Sequence, residues 1–265
     1  MLVHSRRGRW TAWTVFFALF LPLFALPFLV IVAASFATHW SGPFPSHPTL
    51  AHYRAVGRGD SLHALTTSLL TALAASVLAL LTGGWAALAA GRLRGAARRV
   101  VDALFMLPLA VPSVVVGLSL LVAFSQPPFL LNGTAGIVIL AHTVLVTAFA
   151  FQSVSAALTR LDPAYEQSAA SLGAGPLYVL WRIRIPLLLP SLTAAAGLCF
   201  ALSMGELSAT MMLYPPDWVP LPVEIYGAAN RGSLFEGAAL AVVLMTATLA
   251  VLLAVSRIRT RAAFR

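Results

Sequence analysis

One carboxylate, Glu206, stands inside a long apolar segment, where an ionised side chain costs about 2.5–3.5 kcal/mol. Such a group should face protein or water rather than lipid, and two interpretations stay open. Glu206 lines a pathway, where it meets a cationic or zwitterionic solute or holds a gate, or it makes hydrogen bonds that pack helices together. Ser203 and Thr210 are within its reach on a helix, three residues before and four after. These three residues are therefore the candidate pathway residues.

Other chemistries are excluded or disfavoured by residue type. The chain has no Lys, so it is neither a P-loop ATPase nor a Schiff-base enzyme. Cys199 is the single cysteine and cannot form an internal disulfide. His142 lies alone in an apolar segment, where a hydrogen-bonded packing role is more common than a ligand role. His39, His47 and His52 lack the i, i+4 spacing of a zinc site. We expect no catalytic residue, no metal and no cofactor, and therefore not an enzyme.

The composition predicts the elements that position these residues. Of 265 residues, 60% are hydrophobic and 9% are charged, whereas a soluble domain is about 25% charged. Charge-free runs reach the roughly 20 residues that a membrane-spanning helix needs. We predict an all-α fold, a polytopic membrane bundle that forms a single domain over residues 1–265. Its six transmembrane helices are expected near 12–36, 64–90, 103–124, 135–158, 190–213 and 237–256.

The arginines predict the orientation of this bundle. With six crossings, both termini and the loops 91–102 and 159–189 lie on one side of the membrane. Only three arginines, Arg54, Arg58 and Arg231, lie on the other side. The arginines of the first side are Arg6, Arg7, Arg9, Arg92, Arg94, Arg98, Arg99, Arg160, Arg182, Arg184, Arg257, Arg259, Arg261 and Arg265. The positive-inside rule makes that side cytoplasmic, so both termini are expected in the cytoplasm. The net charge of +9 is then a topology signal, and no nucleic acid is expected as a partner.

The loop between the fourth and fifth predicted helices contains signals for a short helix of its own. Asp162 can cap its N-terminus, Pro163 suits the first position, and Glu166 lies in the first turn, where a carboxylate favours the helix dipole. Gly173 and Gly175 then end it. The pattern predicts a cytoplasmic helix of about ten residues.

Four side chains of this loop helix share one face by helical spacing, namely Tyr165, Ser168, Ala169 and Leu172. A helix this short is marginal alone and needs a surface to pack on. That surface is either the lipid headgroups or a cytoplasmic partner protein, and the spacing by itself leaves both open.

The same loop carries a recognisable motif. Residues 166–173 read Glu-Gln-Ser-Ala-Ala-Ser-Leu-Gly, and after nine more residues 183–186 read Ile-Arg-Ile-Pro. This resembles the EAA motif of ABC-importer permeases, whose pattern is Glu-Ala-Ala, three residues, Gly, nine residues and Ile-x-Leu-Pro.

Most departures from that pattern lie at its first positions. With Gly173 aligned, Gln167 and Ser168 stand where the family has Glu and the first Ala, and Ile185 replaces Leu. Glu166 supplies an acid one position early. Whether Glu166 or Gln167 makes the polar contact of the motif therefore stays open.

Two further segments extend the resemblance. Residues 107–112, followed by Gly117, are similar to the proline-containing third helix of these permeases. Residues 203–210 are similar to a segment of the ferric iron, thiamine, polyamine and phosphonate permeases. Residues 205–216 and the six-helix layout most resemble the 2-aminoethylphosphonate importers, so that solute is expected, with ferric iron, thiamine or polyamine as the alternatives.

The resemblance implies partners and a source of energy. Family members pair with a second permease subunit, identical or homologous, in the lipid bilayer. Each inserts its short coupling helix into a cleft of a cytoplasmic ABC ATPase subunit, and a periplasmic solute-binding protein delivers the solute. The resemblance assigns ATPase coupling to Tyr165, Glu166, Gln167, Ala169, Leu172, Gly173 and Pro186. A self-contained secondary transporter is less expected, because that class usually carries several buried charges or an internal repeat.

Overall fold

A computed structural model describes residues 6–42 and 45–263, without the side chains of residues 258–263. Arg265 lies outside the described residues, and Arg259 and Arg261 lie among those described by backbone alone. The helices in chain order are α1 (Arg6–Ser35), α2 (Ala51–Val56), α3 (Gly59–Ala79), α4 (Trp85–Ala90), α5 (Gly95–Ala110), α6 (Ser113–Ala123), α7 (Ala135–Leu158), α8 (Ala164–Ser171), α9 (Pro176–Val179), α10 (Ile185–Met204), α11 (Thr210–Leu213), α12 (Leu221–Asn230) and α13 (Leu234–Ala263).

The chain divides into two compact units. The first comprises the residues up to Leu62 together with Ile225–Val243. In it, α1 leads into an antiparallel hairpin of β1 (Ala37–His39) and β2 (Ser46–Pro48). The Oγ of Ser35 and the hydroxyl of Tyr53 lie 2.6 Å apart, which fixes the end of α1 to α2.

The second unit comprises His63–Glu224 and the chain from Leu244 onward. Its central helix is α7, which packs against α10, α4, α5 and α6. A π-helical stretch, Leu80–Gly84, joins α3 to α4 and also packs on α7. There a Cβ on Gly83 would lie 2.7 Å from the carbonyl oxygen of Thr147, so only glycine permits this approach.

The described residues contain five helices, counting continuous helical segments, that are long and apolar enough to cross a membrane. They are Arg6–Ser35, Gly59–Ala90, Ala135–Leu158, Pro176–Met204 and Leu234–Arg257. A sixth span results if α5 and α6 count as one, although the two meet at an angle of 103°. The chain is therefore a mostly helical bundle of five or six spans.

The third predicted span, 103–124, differs from the structure because Pro112 interrupts it. Proline disfavours the helical conformation of the residue before it, and Val111 is extended, at φ −105° and ψ 132°. The helix ends at Ala110 and restarts at Ser113. At its other end, helix α5 already begins at Gly95, so the predicted loop 91–102 is shorter than expected.

The fifth predicted span, 190–213, also differs at both ends. Helical structure begins at Pro176 and passes through a second π-helical stretch, Leu180–Arg184, into α10. This widened turn ends two residues before Pro186, whose ring and missing N–H disturb a regular helix. Helix α10 ends at Met204, so Glu206 lies in a non-helical break, residues 205–209, rather than inside a helix.

Candidate functional site

The short helix α8 lies in the loop where the sequence predicts one, with eight residues instead of about ten. The Oδ1 of Asp162 accepts a hydrogen bond of 2.9 Å from the N–H of Ala164, which caps the N-terminus. At the other end, Gly173 adopts φ +82°, and Gly173 and Ala174 donate their N–H groups to carbonyls of the last turn at 3.0 Å each. This is the Schellman pattern, which favours glycine at the left-handed position.

An ion pair joins α8 to the helical segment that follows it. The guanidinium of Arg184 donates through Nε to Oε1 of Glu166 and through Nη2 to Oε2, the second bond being 2.6 Å long. These hydrogen bonds hold the pKa of the Glu166 carboxyl below its ordinary range, and the positive charges of Arg184 and Arg92 act in the same direction. Two parallel charge-assisted bonds fix the relative orientation of both groups.

Arg184 lies at the end of the second π-helical stretch, of which it is the last residue. From this position its guanidinium reaches Glu166 of α8. Arg184 is a partner that the sequence analysis did not assign to the site, although its place between the two isoleucines of the motif was visible.

Space remains on both sides of the ion pair. One pocket of about 390 Å³ is lined by Arg92, Gln167 and Val179 together with the pair itself. Another, of about 710 Å³, is lined by Arg94, Arg98 and the pair. The pair is therefore a bridge between α8 and the fifth span and is not part of a packed core.

The predicted coupling residues divide by exposure. Glu166 and Ala169 are half-buried and face the protein. The exposed members are Tyr165, Gln167, Leu172, Gly173 and Pro186. Leu172 is 88% exposed and Tyr165 58% exposed, so both large apolar side chains are accessible to a partner protein or to lipid.

A second site lies where the two irregular segments of the membrane helices meet. A pocket of about 190 Å³ separates the bend between α5 and α6 from the break after α10. Its lining includes Pro108, Val111, Ser113, His142, Ser203 and Glu206. At membrane depth, non-helical backbone is tolerated where it is buried in protein or lines a cavity, and here it lines a pocket.

The hydroxyl partners of this pocket differ from those expected. Both Ser203 and Thr210 bond to His142, at 2.7 Å to Nδ1 and 2.8 Å to Nε2, and not to the carboxylate of Glu206. Instead, Oε1 of Glu206 accepts a 2.8 Å bond from the N–H of Ala209. Thr210 does reach Glu206 as its spacing predicts, but through the backbone, since its hydroxyl donates to the carbonyl oxygen of Glu206 at 3.0 Å. His142 is hydrogen-bonded within the helix bundle. This is the role that the sequence favours for a single histidine in an apolar segment.

Comparison with known proteins identifies the family. Residues 79–261 match the family model described as "binding-protein-dependent transport system inner membrane component", which covers well over half of the chain. The chain belongs to this family. It is a membrane-spanning permease component of a binding-protein-dependent ABC importer, as the EAA-like loop predicted.

Relatives with known names agree with this assignment. The chain is 45% identical over 261 residues, 98% of each chain, to PhnV of Salmonella typhimurium, whose name assigns it provisionally to a 2-aminoethylphosphonate transport system. It is 37% identical over 180 residues, 63% of this chain and 68% of the relative, to the molybdenum transport permease ModB of Mycobacterium tuberculosis. It is 30% identical over 227 residues, 83% of this chain and 76% of the relative, to the putrescine transport permease PotI of Escherichia coli.

Solved structures share the fold of the permease. A chain of a bacterial alginate ABC transporter, crystallised with an alginate-bound periplasmic protein, superposes with a TM-score of 0.72 at 17% identity, over 96% of this chain and 93% of that chain. A chain of the MetNI methionine ABC transporter in an inward-facing conformation gives 0.65 at 15% identity, over 76% of this chain and 95% of that chain.

Proposed function

We propose that this permease imports 2-aminoethylphosphonate across the bacterial inner membrane, using ATP that a separate cytoplasmic subunit hydrolyses. Its partners in this proposal are an ABC ATPase, a second permease subunit and a periplasmic solute-binding protein. The N- and C-termini lie in the cytoplasm, on the arginine-rich side of the membrane.

One observation carries the coupling half of the proposal, the bidentate contact between Glu166 and Arg184. It connects the exposed helix α8 to the segment that continues into the fifth span. When a bound ATPase subunit displaces the exposed residues Tyr165 and Leu172, the movement is then transmitted to α10 through two charge-assisted bonds as well as through the chain. Of the two candidates for the polar contact of the motif, this geometry favours Glu166, whereas Gln167 stays exposed for a partner.

The solute is inferred from the extent of similarity. The match to PhnV covers nearly the whole of both chains at 45% identity, whereas the matches to the molybdenum and putrescine permeases are less identical and cover less of this chain. Polyamine transport is the alternative from the same family, and a competition assay separates the two.

The solute pathway is proposed to pass the pocket beside the two irregular segments. Ser203 and Glu206, two of the three predicted pathway residues, line it, while the hydroxyl of Thr210 is held by His142. Discontinuous helices are a common place for solute contacts in transporters. The bond from Ala209 gives Glu206 a structural role as well, since it stabilises the break.

Uptake by the reconstituted transporter tests this function. The permease is placed in proteoliposomes with its ATPase and its binding protein, and ATP-dependent accumulation of labelled 2-aminoethylphosphonate is measured. We expect accumulation of 2-aminoethylphosphonate, and we expect excess putrescine or molybdate to leave it unchanged. Accumulation of putrescine instead assigns the polyamine function, and ATP-independent uptake of either solute contradicts the coupling.

A further inference from the structure

We infer that His142 is a positioning residue for translocation, which holds the break of the fifth span closed over the pocket until its two hydroxyl contacts open. This inference deepens the proposed pathway and rests on it. His142 is 2% exposed and bonds to one hydroxyl on each side of the break, Ser203 at the end of α10 and Thr210 at the start of α11. One side chain of α7 therefore sets the distance between two helix ends.

The hydrogens in this contact can be assigned by counting donors. A threonine hydroxyl has one hydrogen, and that of Thr210 is donated to the carbonyl oxygen of Glu206 at 3.0 Å. The Oγ1 of Thr210 must then accept from the N–H at Nε2 of His142. The Nδ1 of that neutral ring is an acceptor, so the hydroxyl of Ser203 donates to it.

The result is a continuous series of bonds around the break. It runs from Ser203 to His142, to Thr210 and to the backbone of Glu206, while the carboxylate of Glu206 accepts from Ala209. His142 of α7 thereby connects the two helix ends that flank the break. Loss of any one member leaves a buried polar group without a partner, which is costly in an apolar bundle.

The break also touches the bent pair of helices. A Cβ on Gly117 of α6 would lie 2.9 Å from both Cα and the carbonyl oxygen of Ala209, so the two backbones are in direct contact. Movement of α6 is therefore transmitted to the break. The pocket has the bend on one side and the break on the other, and His142 and Ser203 both belong to its lining.

A role limited to packing would not require this arrangement. Apolar side chains fill the space between helices without the desolvation cost of an imidazole and two hydroxyls. Polar contacts at the ends of two helices instead give a small number of bonds that break and reform together. Hinges of moving helices are usually a few residues at element ends.

Accessibility of the pocket tests this inference without knowledge of the solute. A thiol is introduced by Ser113→Cys in a Cys199→Ala background, in the complete complex with its ATPase. Its labelling by a small methanethiosulfonate reagent is then compared with and without ATP. In the parent, labelling should change by about tenfold between the two states, the effect expected from making or losing buried hydrogen bonds.

Three variants at the contact give the expected pattern. His142→Leu and Thr210→Val should remove most of the ATP dependence of labelling, whereas Thr210→Ser keeps the hydroxyl and should behave like the parent. Because Thr210 acts through its bond to His142, the double variant should be no worse than His142→Leu alone. The matched control is Thr143→Val on the same helix, whose hydroxyl donates to the carbonyl oxygen of Ile139 within α7 at 2.7 Å.

Three outcomes distinguish the inference from the proposed function. An ATP dependence that His142→Leu leaves unchanged overturns the inference. If Thr143→Val or Thr210→Ser removes as much of the ATP dependence of labelling as Thr210→Val does, the inference is overturned too. The effect would then be general destabilisation. Absence of 2-aminoethylphosphonate uptake in the parent contradicts only the proposed solute, because the labelling pattern does not depend on it.

Discussion

Arg184 and Glu166, separated by 18 residues in the sequence, meet in a two-bond ion pair that links the loop helix α8 to the fifth span. The side chains are 23% and 34% exposed, so solvent screens the pair only in part. A pair this exposed adds at most about 1 kcal/mol to stability. Its value to the permease is therefore geometric, since it orients α8 relative to the membrane helices.

Removing the ion pair should uncouple transport without unfolding the permease. Arg184→Gln and Glu166→Gln should each lower the number of solute molecules moved per ATP by up to about fivefold, the factor that corresponds to about 1 kcal/mol, and leave ATP hydrolysis near the parent value. The measurement is the transport-to-hydrolysis ratio in proteoliposomes.

The neighbouring Arg182 provides the matched control for this prediction. Its side chain is exposed and has no ion pair among the described residues, so Arg182→Gln should behave like the parent. An equal loss of coupling in Arg182→Gln would show that total charge matters instead of the pair.

The lowered pKa of Glu166 predicts a pH dependence. Because Arg184 keeps the folded carboxyl ionised below the ordinary glutamate pKa, the contribution of the pair is fully present above that value. It is lost only as pH falls through the lowered value. The difference in melting temperature between the parent and Glu166→Gln should therefore stay constant over roughly pH 5–8 and shrink at more acidic pH. A difference that already disappears near neutral pH would contradict this assignment.

The effect of a substitution at Gly173 should depend on how readily the new residue adopts a positive φ. Its φ is +82°, and no atom lies within 4 Å of the point that a Cβ would occupy, so strain alone opposes a side chain within the permease. Gly173→Val should shorten α8 at a cost of about 1–2 kcal/mol and reduce coupling. Gly173→Asn should retain more activity, because asparagine adopts this conformation more readily.

Gly175 is the matched position for that comparison. It also has open space around its Cβ, but its φ is −72°, which any residue adopts. Gly175→Val should therefore couple nearly as well as the parent in the same assay. Equal damage from both valines would indicate a steric clash with a partner instead of backbone strain.

Local signals made part of the structure predictable. Asp162 and Gly173 bracket α8 correctly because capping and left-handed termination depend on nearby residues only. The apolar runs likewise predict the five long spans, and the sixth if α5 and α6 count as one. The contacts of Arg184 and His142 were not predictable, since they depend on a π-helical turn and on a helix break that no single residue type announces.

Proline explains the main difference between the predicted and observed spans. Hydropathy treats 103–124 as one continuous run, yet Pro112 bends it by 103°. Similarly, the run 190–213 conceals the end of α10 at Met204. In both cases apolarity predicts burial in the membrane but does not predict where the helix is interrupted, and the interruptions are what form the pocket.

Glu206→Gln separates a charge role from a structural role at the pocket. Glutamine keeps an oxygen that accepts from the N–H of Ala209, so the break should remain intact and the melting temperature should change little. If the carboxylate meets a cationic solute group, uptake should fall about tenfold, whereas Glu206→Ala should lower both uptake and stability. Unchanged uptake in Glu206→Gln would limit this residue to stabilising the break.

The contact between α8 and an ATPase is the central claim, and a photo-crosslink at Leu172 tests it most directly. Leu172→Cys in a Cys199→Ala background carries a benzophenone label in the assembled transporter, with Leu50→Cys, 55% exposed near α2, as the control position. We expect a crosslink from position 172 to the ATPase subunit and none from position 50. Recovery of lipid adducts alone from position 172, in a complex that contains the ATPase, would contradict this contact.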